Sequence, residues 1–118
     1  MKILVCGNEG SGKTTLAKPL AKLLNAKYVN KDSYEKELRG YVDGIVAADK
    51  SVVIDKRCSS DEAIEYLNPD FIIWMDTAPN TSYKPFRYDY HVSEWFDDTH
   101  VVLVEVLKKY MDRGYHNV

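Results

Sequence analysis

The chain has 118 residues, 45% of them apolar and 29% charged, and a formal net charge of −2, a size and mixture that suit one compact domain over residues 1–118 with its own core. Interleaved charges of both signs give no general attraction to nucleic acid or to an anionic membrane. No apolar run nears the roughly 20 residues of a membrane span, and the opening residues lack a signal-peptide pattern.

Taken in order, Lys2 to Cys6 is a nearly continuous apolar run of the kind buried on both faces of a parallel sheet. From Lys13 to Asn25, Leu16, Leu20, Leu23 and Leu24 recur at helical spacing, with Pro19 as an interruption. A short strand is predicted over Lys27 to Asn30. A helix follows from about Tyr34 to Ala48, with Asp32 or Ser33 as its N-cap and Gly40 and Gly44 weakening it. Ser51 to Asp55 reads as a third strand. A serine-capped, acid-started short helix comes next, in SSDEAIEYL, and Phe71 to Asp76 is a fourth strand. Thr77 to Pro85 reads as a loop and Tyr88 to Val92 as a weak fifth strand. The last segment, Thr99 to Arg113, is rich in valine. It reads as a helix because Val101, Val104, Leu107 and Met111 share one face, acids precede it, and Lys108, Lys109 and Arg113 close it before Gly114.

Strands alternating with helices imply an α/β fold, a short parallel sheet of about five strands with helices on both faces. Ligands of such sheets sit beyond the carboxyl ends of the strands. Gly7, Asp32, Asp55 and Asp76 each follow an apolar strand and so fall on that edge.

Gly7-Asn8-Glu9-Gly10-Ser11-Gly12-Lys13-Thr14 matches the phosphate-loop pattern in full, between a predicted strand and a predicted helix. Phosphate demands several backbone N–H groups aimed at one point, which side chains at the turn would obstruct. The helix that follows, opening at Thr14 and Thr15, offers its N–H groups and positive dipole end to the anion. Lys13 is expected to reach the β- and γ-phosphates and Thr14 to offer its hydroxyl to Mg²⁺. A ligand-free glycine turn is the plain alternative; the complete pattern in its strand–loop–helix setting favours a nucleoside triphosphate, ATP with Mg²⁺.

Two carboxylates extend the site. Asp32 could orient or deprotonate an acceptor hydroxyl, or act only as the N-cap of the next helix, and both roles can coexist. Asp55 closes VVID as a Mg²⁺-supporting aspartate does, or it is a solvated strand end; Asp76 has the same form.

These blocks together, GNEGSGKTTLA, VNKDSYEKELR, VVID, FIIWMDT and YDYHVSEW, resemble the P-loop kinases, and among them the compact adenylylsulfate kinase-like proteins often encoded by bacteriophages. The resemblance implies a P-loop NTPase architecture of three α/β/α layers. It also implies ATP-dependent phosphorylation of a small hydroxyl acceptor, with the adenylylsulfate 3′-hydroxyl as the namesake. In that family an acidic pair and then an arginine hold the acceptor. Here Asn30 stands at the first acidic position, Asp32 at the second and Glu35 at the arginine's, with Arg39 one helical turn later as a substitute. The family's lid arginines have Lys84 and Arg87 as their counterparts, and Arg57, just past Asp55, is a further candidate for a phosphate clamp; a solvated surface charge is the plain alternative for each of the three. Nucleoside, nucleotide or polynucleotide 5′-hydroxyl kinases form one alternative. A nucleotide-binding regulatory protein without transferase activity is another.

Other features read as structure. Nine tyrosines and the aromatic stretch SYKPFRYDYHVSEWF suit packing, with Phe86 or Tyr83 as candidates to stack on a base. His91, His100 and His116 lack metal-ligand spacing. Cys6 suits an apolar strand and Cys58 follows the third; the two form no CxxC pair or disulfide framework, which points to a reducing cytoplasm.

Overall fold

The computed structural model describes residues 1–8, 10–30, 35–48, 50–57, 60–77 and 84–113. Glu9, Asp32, Ser33, Cys58, Tyr83, Gly114 and His116, and the side chain of Glu35, lie outside the described residues. The elements run β1 (Lys2–Gly7), α1 (Lys13–Leu23), β2 (Lys27–Val29), α2 (Glu35–Ala47), β3 (Val52–Lys56), α3 (Asp61–Leu67), β4 (Phe71–Met75), β5 (Tyr90–Val92) and α4 (Thr99–Asp112). All five strands pair in parallel in the order β2-β3-β1-β4-β5.

The strands are apolar without alternation because both sheet faces are covered. Ile3, Val5, Val53, Phe71 and Ile73 pack on one side with α1 and α4, through Leu16, Leu20 and Val106. Leu4, Cys6, Ile54, Ile72 and Trp74 pack on the other with α2 and α3, through Leu38, Val42 and Ile64. Each such side chain taken fully out of water contributes roughly 1.5–3 kcal/mol against chain entropy.

Local chemistry sets the helix limits. Ser60 Oγ accepts from Ala63 N at the start of α3, and Asp98 Oδ1 accepts from His100 N at the start of α4. The α2 helix runs unbroken through Gly40 and Gly44, and α1 carries Pro19 inside it. Two expectations about faces change. Leu23 of α1 is exposed, the buried positions being Leu16, Ala17, Leu20 and Ala21. In α4 the buried face is Val102, Leu103, Val106 and Tyr110, while Val101, Val104 and Met111 point to solvent. The segment is so rich in valine that more than one stripe is apolar, and packing against α1 and the sheet selects between them.

Topology positions the site. Strands β1 and β3 are neighbours, yet the chain leaves β1 for α1 on one face and leaves β3 for α3 on the other. That divergence opens a crevice at their carboxyl ends. Among the described residues no helix is long and apolar enough to cross a membrane.

Candidate functional site

Gly7 ends β1 at a point where a Cβ would lie 2.5 Å from the Met75 carbonyl oxygen and 2.7 Å from Ser11 Oγ, so only glycine lets the loop press against β4. Gly12 takes the helix N-cap position with φ 88°, in the left-handed region. It offers no capping side chain, and the first turn of α1 holds no acidic residue. A helix start without capping oxygen or carboxylate leaves its N–H groups and dipole directed at whatever anion enters. The loop is braced by Ser11 N donating to the Asn8 carbonyl at 3.2 Å and Thr77 Oγ1 donating to the Ser11 carbonyl at 2.6 Å. Lys13 Nζ donates to the Asn8 carbonyl at 2.9 Å, which holds the ammonium over the loop.

Facing the loop is Asp55. Register pairs it with Val5, two residues before Gly7, so β3 carries the carboxylate to the phosphate loop. It is 4% exposed, and its Oδ2 accepts from Thr14 Oγ1 and from Tyr28 Oη, each at 2.6 Å. Burial raises the Tyr28 phenol above its usual value and the bond to Asp55 acts the same way, while hydrogen bonds with Thr14 and Asn30 pull against them. The phenol therefore stays a proton donor through the physiological range.

These groups line a cleft of about 610 Å³ formed by Gly10, Gly12, Lys13, Thr14 and Thr15 on one wall and by Asn30, Asp55, Lys56 and Arg57 opposite, with Trp95 also lining it. The volume is in the range of small-molecule sites. One buried carboxylate and one hydroxyl are hard oxygen donors, the kind Mg²⁺ takes when phosphates supply the rest of its shell. Among the described residues no group of three or more His, Cys, Asp or Glu forms a metal cage.

The structure brings the loop residues, Asn30, Asp55 and Arg57 together, and it leaves others apart. Arg39 lies away from the cleft, its guanidinium paired with Asp43 at 3.4 Å and lying over the Tyr66 ring. Arg87 pairs with Glu65 at 3.2 Å and donates to the Pro69 carbonyl at 3.3 Å. It cannot serve as a lid from there. The chain after β4 must return to the amino edge of the sheet to begin a parallel β5, and Arg87 is near the end of that return. Lys84 is exposed and outside the cleft lining, as is Phe86. Asp76 is at the predicted edge but is joined to His91 Nε2 at 3.0 Å, whose ring stacks on Trp74 at 4.1 Å.

Two residues that sequence reasoning passed over enter the site. Trp95, 59% exposed, stacks on Phe96, and both rings lie near the place a Gly12 Cβ would occupy. Its signal was position, three residues past β5 and therefore on the ligand edge. Tyr28 shares a strand face with Asn30, two residues on, which the period of a strand makes readable.

No curated protein matches the chain in sequence. Among solved structures, the hexameric APS kinase from Thiobacillus denitrificans aligns over 98% of this chain and 30% of its own, at 15% identity and a TM-score of 0.72. Shikimate kinase from Aquifex aeolicus aligns over 97% of this chain and 98% of its own, at 14% identity and a TM-score of 0.67. A sugar kinase from Janibacter sp. aligns over 66% of this chain and 61% of its own, at 18% identity and a TM-score of 0.58. The chain thus spans less than two thirds of the sugar kinase and of the APS kinase. Likeness at such identities establishes the P-loop kinase fold and leaves the reaction open. A family model described as RNA helicase matches residues 3–94, from the first strand through the fifth. By that match, which takes in the phosphate loop and both walls of the cleft up to β5, the chain belongs to the RNA helicase family of P-loop proteins.

Proposed function

We propose that the chain is an ATP- and Mg²⁺-dependent phosphotransferase acting on a small hydroxyl-bearing acceptor. The observation that carries this reading is the meeting of Thr14 and Asp55 at 2.6 Å before the phosphate loop, in a cleft whose opposite wall is Asn30 and Arg57. Thr14 Oγ1 spends its one proton on Asp55, which leaves its lone pairs for a hard cation. Lys13 and the N-terminal turn of α1 would neutralise phosphate charge, and Arg57 would add a second cation from the far wall. Magnesium, when bound with the nucleotide, supplies further neutralisation of the phosphate oxygens. Asp32, three residues after β2 in the sequence, is assigned to the acceptor hydroxyl as orienting group or base. Trp95 offers an exposed flat face to the nucleobase.

Adenylylsulfate is the first acceptor to try, on the resemblance of the sequence blocks and the fold of the APS kinase. Family membership supports a second reading, nucleoside triphosphate hydrolysis stimulated by RNA. One experiment separates them: γ-labelled ATP with Mg²⁺, offered adenylylsulfate, nucleosides, 5′-hydroxyl oligonucleotides or RNA. Label appearing in an acceptor supports the kinase. Inorganic phosphate released faster with RNA, with no labelled product, replaces it by the hydrolytic reading. ATP binding without either leaves a nucleotide-binding protein that transfers nothing. Asp32→Asn should spare ATP affinity and abolish transfer.

A further inference from the structure

Asp55 receives a second hydroxyl that the phosphate loop does not supply. Tyr28 pairs in register with Val53, and its side chain extends along the strand to Asp55, two residues further on the same face of the sheet. The ring is held in place on both sides. It packs against the core beneath α1 and α4, and Lys18 Nζ lies 5.6 Å from its centroid. Lys18 is four residues after Thr14, on the same side of α1. Asn30, two residues further along the chain, lines the far wall of the cleft. Two hydrogen bonds that meet on Asp55, from Tyr28 and from Thr14, therefore link the acceptor-side strand to the phosphate loop.

A carboxylate with two oxygens and a rotatable Cβ–Cγ bond does not keep one oxygen on Thr14 unaided. Thr14 itself is solvent-exposed, and its hydroxyl oxygen would also face the cation. The donor held independently of the loop is Tyr28, half-buried and fixed by its ring. From this we infer that Tyr28 is a positioning residue: its hydroxyl fixes the Asp55 carboxylate so that the cleft favours Mg²⁺-bound over metal-free nucleotide. The inference rests on the proposed role of Asp55 in holding Mg²⁺. It concerns binding, and it stands whichever acceptor, if any, takes the phosphoryl group.

The test is Tyr28→Phe, which removes one oxygen and keeps the ring. Affinity for a fluorescent non-hydrolysable ATP analogue is measured in EDTA and across a Mg²⁺ titration, for wild type, Y28F, D55N and the double variant, with melting temperatures alongside. Y28F should keep the EDTA affinity and need roughly 10- to 100-fold more Mg²⁺ to reach the tight form, the range for losing a partner that orients a metal ligand. Added to D55N, it should change nothing further. A Mg²⁺ titration of Y28F identical to wild type, with D55N altered, overturns the role of Tyr28 and leaves Asp55 its own. Equal weakening with and without Mg²⁺ makes Tyr28 a packing residue only and also overturns it. A wild-type affinity indifferent to Mg²⁺ overturns the metal reading of the cleft, and the inference with it.

Discussion

Trp95 and Trp74 are the two tryptophans of the chain, and they differ in surroundings: Trp74 is buried under the His91 ring, and Trp95 stands open at the cleft. Nucleotide binding should therefore quench the emission of Trp95 alone. Trp95→Ala should abolish the quench and weaken nucleotide binding about tenfold, within the range for one base–aromatic stack. Unchanged affinity in a calorimetric titration of W95A would remove the ring from the binding site. At this scale the phosphate loop is legible in the sequence because the shape of a phosphate dictates glycine, lysine and a hydroxyl at set spacing. Tyr28 and Trp95 are not legible in the same way. Each is marked only by its place relative to a strand, and what it meets, Asp55 for Tyr28 and the phosphate loop for Trp95, is set by strand register and the path of the chain around the sheet.

Helix α4 shows the same limit one level up. Its capping acid Asp98 and its basic closing residues are local signals, and its existence follows from them. Its buried side does not, because Val101 to Val106 supply apolar residues to several faces and only the neighbouring elements decide. The difference is measurable. Val106, 1% exposed, should lose about 2 kcal/mol on substitution by alanine, in line with the loss of two buried carbon groups. Val104, 38% exposed, should change by less than about 0.5 kcal/mol on the same substitution. Urea unfolding of the pair checks it, and equal losses would mean that the helix presents a different face to the sheet. Short strands behave otherwise: β1, β3 and β4 are recognisable from continuous apolar runs since a sheet covered on both sides has no polar face to betray its period.

For the molecule as a whole, the amino edge of the sheet is tied as firmly as the carboxyl edge is open. Lys2 Nζ donates to Asp43 at 3.0 Å and to the Leu67 carbonyl at 2.8 Å, joining β1, α2 and the end of α3, and Arg39 adds to Asp43 from the same helix. The Lys2 hydrogen bond holds the Asp43 carboxyl below its usual value. A depressed folded value means that this carboxylate stabilises the fold above its unfolded pKa of about 4 and loses that contribution as pH falls through the folded value. Asp43→Asn should accordingly lower stability at pH 7 and match wild type near pH 2. A deficit that persists in acid would assign the loss to packing instead of charge. The α/β class and the parallel sheet follow from the alternation of strand and helix patterns. Strand order does not, since apolar runs as similar as VVID and FIIWM carry no label saying which will lie beside β1; yet that order is what brings Asp55 to the loop.

Both outer strands, β2 and β5, are three residues long. A strand of that length exposes so few unpaired backbone groups that another chain gains almost no hydrogen bonds by lining up alongside. The sheet is thereby blunted at both sides by the shortness of its outer strands. Strand-to-strand stacking into fibres is disfavoured by the architecture itself, while the longest apolar strands, β1, β3 and β4, stay enclosed between partners where a growing aggregate cannot reach them.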